Sequence, residues 1–416
     1  MRNISLTVVA LLGAALLTPI SPATAAGETC QGQAATIVGT PGVQITGTEG
    51  ADVIVTNGAT RVDALGGDDL VCGTGAAPTT GTILGAGADT FIADSSGGRH
   101  FIYAGAIVGP ENVVAPDTTD TEADVIRAAS GVVISGMAGQ PNADVIDLAF
   151  GEVVWSGIQT APGAVSVGTD GILGVRSANG DVRMDARGTV TGADTALTWT
   201  GDFERLVFNT SAEYGRFTFR GTAGTEHLKV NAPTTYDRDI ALRGGKDSYE
   251  SNSLGGKATR IKGDGGRNEL LLNLGSHDRV RADLSRSRVT ATKAGVEESI
   301  RVRGFDDLIV SAKRADVIGT NRANEIEAIA CRTTIKGKKG RDELYVSSNY
   351  NGLGTWVTPR CAKSKATIYG GRGHDTITGS MGNDRLIGGP GKDIVSGRAG
   401  RDVCQGEKVR RCAKRI

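Results

Sequence analysis

The sequence predicts an all-β chain arranged as a parallel β-solenoid, a stack of short coils rather than a compact globule. Three observations point there. No helical periodicity persists beyond the first two dozen residues. Aromatic residues are only 4% of 416 positions against 61 glycines, a balance that suits thin sheets closed on small side chains. From Gly370 to Gln405, four nine-residue units follow without a break: GGRGHDTIT, GSMGNDRLI, GGPGKDIVS and GRAGRDVCQ.

Each unit reads as a turn and a short strand. Glycine holds the first place (Gly370, Gly379, Gly388, Gly397) and the fourth (Gly373, Gly382, Gly391, Gly400), permitting backbone that other residues avoid. Aspartate holds the sixth place (Asp375, Asp384, Asp393, Asp402), and the eighth is apolar (Ile377, Leu386, Val395, Cys404). A flexible linker has no need of an apolar side chain at a fixed place. With two units per coil, Asp375 should stack over Asp393, and Asp384 over Asp402 on the opposite edge. Stacked carboxylates repel unless a cation lies between them, and their hard oxygens suit Ca²⁺. The pattern resembles the hemolysin-type calcium-binding repeat of the RTX family, G-G-x-G-x-D-x-U-x. That resemblance implies a β-roll whose turns bind Ca²⁺ through the four aspartates with Gly370, Gly373, Gly379, Gly382, Gly388 and Gly391.

Earlier in the chain, residues 1–25 read as a secretory signal: Arg2, an apolar run from Ile4 to Leu17, then Ala23-Thr24-Ala25. An exported, extracellular protein follows from that reading, although members of the RTX family typically leave the cell by a C-terminal signal. Six cysteines fit an oxidising destination, and their sequence-local grouping suggests Cys30–Cys72, Cys331–Cys361 and Cys404–Cys412. Residues 26–150 form a degenerate repeat region. Gly47–Ile54 repeats the C-terminal unit, and looser copies place Asp63, Asp69 and Asp89, so Asp52 and Asp69 are further calcium candidates. The string Ala-Asp-Val-Ile recurs around Asp52, Asp124, Asp144 and Asp316, which argues for one architecture throughout. Asp124 and Asp144 lack the glycine pair and read as turn caps.

Residues 151–335 form an irregular β-helical middle with a longer repeat. Asp185-Ala186-Arg187, Val190-Thr191 and Gly201–Leu206 make one copy; Asp283-Leu284-Ser285, Val289-Thr290 and Gly304–Leu308 make the other. Turn-like units follow, with Glu226 and Asp316 in the aspartate place, and Asn268 occupies it in a further relic. Residues 336–416 form the β-roll with its basic tail. The turn at Asp342 is crowded by Lys338, Lys339 and Arg341, which opposes a cation.

Net charge is zero but unevenly spread. The first 200 residues hold 7 Lys and Arg against 20 Asp and Glu, and the rest hold 39 against 26. The acidic part suits cations, and the basic part suits anionic polymers such as an extracellular polysaccharide or cell-surface polymer. No aromatic platform accompanies the basic tail, which argues against nucleic acid, and no later apolar run is long enough for a membrane span. Known catalytic motifs are absent, and His100, His227, His277 and His374 read as surface or turn residues. One dense charged group, Arg281, Asp283, Arg286, Arg288, Arg303, Asp306 and Asp307, leaves a carbohydrate-active enzyme as one alternative. A surface adhesin or matrix component is the other. The expected function is extracellular calcium binding that serves folding and structure.

Overall fold

The computed structural model describes residues 27–76, 81–93, 98–108, 117–119, 121–347, 358–361 and 364–416. The signal-like segment 1–25 lies outside the described residues. The chain is all-β, and its one helical element among the described residues is a 3₁₀ turn at Leu284–Arg286. Nearly every strand belongs to one 36-stranded sheet, with two small two-stranded sheets beside it.

Strands pair in parallel with a strand from a neighbouring turn, so two interleaved stacks run along the chain. Val53–Val55 lies on Leu70–Cys72, which lies on Thr90–Ala93, then Val125–Ala128 and Val145–Trp155. Gln44–Thr48, Arg61–Leu65, Thr82–Ile83, His100–Ala104 and Gly131–Ser135 form the other stack. At the C-terminal end Ile377 pairs with Val395, and Leu386 with Cys404. All four eighth-place residues are buried, as the repeat requires.

One continuous apolar core runs from Ile45 to Cys404. It is filled by Val, Ile and Leu towards the C-terminal end. In the middle it thickens around Trp155, Phe208, Phe217, Phe219, Tyr236 and Tyr249, with the Phe208 and Phe217 rings stacked at 4.1 Å. The guanidinium of Arg238 is also buried there, donating to the Tyr249 and Ser253 hydroxyls and to the carbonyls of Ala232 and Ser253.

The sheet is mixed rather than purely parallel, and the antiparallel pairs fall in the two copies of the long repeat. Val182–Asp185, Thr189–Gly192 and Thr195–Thr210 form one meander. Arg279–Asp283, Arg288–Lys293 and Val296–Arg303 form the second. The reversals are local. In the second copy the Asp283 carboxylate accepts the Arg286 N–H and Ser287 is left-handed, so the chain doubles back within one sheet.

The three expected disulfides are formed: Cys30–Cys72, Cys331–Cys361 and Cys404–Cys412. Cys30–Cys72 packs with Val55 in a small cluster outside the main core, and Cys404 lies in the core stack itself.

Turn stacking explains the fourth-place glycine. Gly391 has φ 151°, and a Cβ on it would run into the carbonyl oxygen of Gly373 in the turn beneath. Gly391→Ala should therefore cost about 2–4 kcal/mol locally. Because stacked repeats unfold by neighbourhood, the measurement is amide exchange at Ile394–Ser396, with Ala399→Ser as the exposed control. Unchanged protection at that strand would contradict the close stacking.

Candidate metal centre

The aspartates of the C-terminal repeat form two buried columns. On one edge the Asp342 N–H donates to Asp375 Oδ1 at 2.9 Å, and the Asp375 N–H donates to Asp393 Oδ1 at 2.9 Å. Across the stack the Ala366 N–H donates to Asp384 Oδ1 at 2.6 Å, and the Asp384 N–H to Asp402 Oδ1 at 2.9 Å. The pairs Asp375/Asp393 and Asp384/Asp402 are thus brought together as the eighteen-residue repeat predicts. Gly370, Gly379 and Gly388 sit beneath the carboxylate of their own unit, where a Cβ would displace it. Gly373 and Gly382 take the stacked place described for Gly391.

One oxygen of each pair is satisfied by the ladder; the other decides the chemistry. Oδ2 of Asp342, Asp375, Asp393 and Asp402 is buried without a hydrogen-bond partner among the described residues. The asparagine in the same column shows what is missing. Asn268 Nδ2 donates to the Gly304 carbonyl at 2.9 Å and to that of Gly265 at 3.2 Å. Asp375 places Oδ2 where Asn268 places that nitrogen, beside the carbonyl oxygen of Gly388. Lone pairs then face lone pairs in a dry site, an arrangement that needs a proton or a cation. Burial accordingly pushes the carboxyls of Asp375, Asp384, Asp393 and Asp402 up from the ordinary range. Among the described residues no three His, Cys, Asp or Glu side chains converge. A cation here would take carboxylates from one column and its other ligands from backbone carbonyls, a hard-oxygen set that fits Ca²⁺.

Not every candidate is alike. Asp384 is satisfied within its own turn, since the Ser380 N–H donates to Oδ2 at 2.6 Å and the hydroxyl to Oδ1 at 2.8 Å. Asp52 is satisfied by the Thr36 hydroxyl at 2.8 Å and by the Thr48 N–H and hydroxyl at 2.8 and 2.9 Å. Burial raises the Asp52 carboxyl, but these bonds outweigh it and hold it below its ordinary value. Asp69 matches the C-terminal sites: Oδ1 accepts the Asp52 N–H, Oδ2 is buried without a partner, and burial pushes the carboxyl up to about 6.

Two members of the ladder escaped the sequence reading. Asp247 joins Glu226 as a second buried column carboxylate of its region; Oδ1 accepts the Glu226 N–H, and burial pushes it up to about 6. The signal was Gly244-Gly245-Lys246-Asp247, which carries the glycines and the aspartate without the full spacing. Glu407 ends the Asp393 column, accepting the Asp393 N–H at 2.6 Å. Its turn is shorter than nine residues, so no register announced it.

Other expectations are corrected. Asp124 and Asp144 stand just before their strands, as the turn-cap reading has them, and also belong to the buried ladder, with the Asp124 N–H donating to Asp144 Oδ1. Asp316 lies inside the strand Asp307–Ile318, not in a turn, and pairs with Arg279 and Arg314. His100 and His277 are buried and His227 is half-buried, whereas His374 is exposed as expected. The carboxylates of the charged group around 281–307 do not meet in one site: Asp306 pairs with Arg322, Asp307 with Arg267, and Asp283 caps the 3₁₀ turn and pairs with Arg286.

A pH dependence follows. Burial first, with like charges assisting, raises Asp69 and Asp247 to about 6 and Asp342 to about 7. Unfolded carboxyls titrate near ~4, so between ~4 and ~7 the folded metal-free chain binds more protons than the unfolded chain. Stability from these groups is full at the acid end and lost as pH rises through 6 to 7. His100, His227 and His277, held below their ordinary value by burial, oppose this below about 6.5. The carboxylates are more numerous, so in chelator the melting midpoint should be higher at pH ~5.5 than at ~7.5. A midpoint that falls on acidification would contradict the unpartnered ladder.

Residues 367–406 match the family model of the RTX calcium-binding nonapeptide repeat, in four copies. No curated protein matches the chain. The C-terminal segment 367–406 is therefore an RTX-type calcium-binding repeat region.

Proposed function

We propose that calcium completes the carboxylate columns after export and stiffens one long β-solenoid outside the cell. The observation that carries this reading is the buried, unpartnered Oδ2 of Asp375, Asp393 and Asp402 in the place where Asn268 sets an amide donor. Bound calcium supplies positive charge between carboxylate and carbonyl oxygens. The chain's own part is to hold those oxygens in register, keep water from them and fix each Oδ1 on a backbone N–H. Asp375 and Asp393 with Glu407 serve one edge, Asp384 and Asp402 the other, and Asp69 a separate site in the N-terminal region; Asp52 supports Asp69 through its N–H.

In this reading residues 1–25 are the export signal, 26–150 and 151–335 are the degenerate and irregular parts of the solenoid, and 336–416 is the calcium β-roll. Extracellular calcium near ~1 mM acting on a site of ~10 µM affinity adds about 2.7 kcal/mol, enough to hold loose inside the cell what becomes rigid outside. The disulfides suit the same oxidising destination. The role is structural or one of interaction.

The discriminating experiment replaces the carboxylates by the amide found at Asn268. Wild type should melt at least several degrees higher in calcium than in EGTA. The triple variant Asp375→Asn, Asp393→Asn, Asp402→Asn should equal or exceed wild type in EGTA at neutral pH and lose most of the calcium shift. Equal wild-type midpoints with and without calcium would sink the proposal.

A further inference from the structure

The outward surface of the second meander, with the strand beside it, is strongly basic. Arg260–Lys262 pairs with Val296–Arg303, that strand with Arg288–Lys293, and that in turn with Arg279–Asp283. Alternation along these strands buries Ile261, Ile300, Val302, Val289 and Val280. The same alternation turns Arg260, Lys262, Arg281, Arg288, Arg301 and Arg303 outward, and all six are exposed.

Register aligns them. Arg301 lies opposite both Arg260 and Arg288, and Arg303 lies opposite Lys262. Like charges directly opposite one another destabilise a sheet, and other cations of the chain face carboxylates instead, as in Lys229–Glu250 and Arg220–Asp239. Three of the nearby carboxylates are engaged, Asp239 by Arg220, Asp316 by Arg279 and Arg314, and Asp283 by the turn that it caps, and Glu297 stands two outward places along the strand from Arg301. Among the described residues, Arg260, Lys262, Arg301 and Arg303 have no ion-pair partner.

Charge is also sorted between faces. On the other stack of the same turns, Glu269, Asp307, Glu325 and Glu343 follow one another in register. A second copy offering that acidic column is the weaker occupant, because Arg267 already bridges Asp307 at 2.6 Å and Glu325 at 4.0 Å. No aromatic side chain stands on the outward positions of the four basic strands, so the face lacks a stacking platform for bases. What remains is a grid of five guanidinium groups and the Lys262 ammonium, ~4.8 Å apart between strands and ~7 Å along them, and guanidinium grips carboxylate or sulfate by paired hydrogen bonds.

We propose that this face binds a linear acidic polysaccharide. The inference is independent of the calcium columns, which lie inside the stack. The test uses the full chain in calcium, with heparin as the sulfated probe, polygalacturonate as the carboxylated one, and dextran and duplex DNA as comparisons. Wild type should bind one or both acidic polysaccharides in a salt-sensitive manner and ignore dextran. Arg260→Gln with Arg301→Gln and Arg303→Gln should weaken binding at least about tenfold, without lowering the melting midpoint. The charge-matched control Arg127→Gln, Arg183→Gln, Arg415→Gln should bind like wild type. Equal losses in the two triple variants would reduce the face to general charge and overturn the proposal. So would DNA binding as tight as polysaccharide binding, or no binding to either polysaccharide.

Discussion

Everything in this molecule follows from stacking equivalent turns in register at the spacing of a β-sheet. When one turn lies directly on the next, each side chain meets its own kind. For Ile377 on Val395 this gives a dry seam, and for Asp375 on Asp393 it gives a carboxylate column. The ladder uses one oxygen of each aspartate to receive the N–H of the preceding aspartate, which spares that buried donor. For Asp375 and Asp402 the second oxygen stands beside a carbonyl, and no described residue hydrogen-bonds to it. In the proposed reading, the rigidity of the columns is conditional on a cation brought from outside.

The stacking rule also explains where the chain departs from it. Asn268 and Asn324 interrupt the column with an amide that bonds to carbonyl oxygens, so these turns hold together unaided. The thick aromatic core from Trp155 to Tyr249 lies in the part of the chain with the fewest glycine-paired aspartates. Burial of large rings supplies there what the ladder supplies near the C-terminal end. Each meander departs further, folding back within one sheet and adding antiparallel strands to a stack that is otherwise parallel.

Register sorts surface charge as strictly as it sorts the core. Alternation sends every second residue outward, so a run such as Arg301-Val302-Arg303 yields one buried valine and two exposed cations. When the neighbouring strands carry the same pattern, rows of like charge result, basic on one stack and acidic on the other. The two faces are thus chemically distinct although one repeat built both.

Much of this was legible in the letters alone. The nine-residue period fixed the glycine, aspartate and apolar places of residues 370–405, the eighteen-residue pairing of aspartates and the all-β class, because each depends on local spacing. The three disulfides were legible through sequence proximity. What the tertiary structure decided was which carboxylates lack a partner. Asp384 and Asp375 occupy the same place in the repeat, yet Ser380 satisfies one while the other keeps a bare oxygen. Thr36 and Thr48 do the same for Asp52 but not for Asp69. Asp247 and Glu407 join the columns through turns of irregular length that no fixed period reveals. The repeat places a carboxylate in the stack, but its hydrogen bonds come partly from other turns, and those neighbours exist only once the chain has coiled.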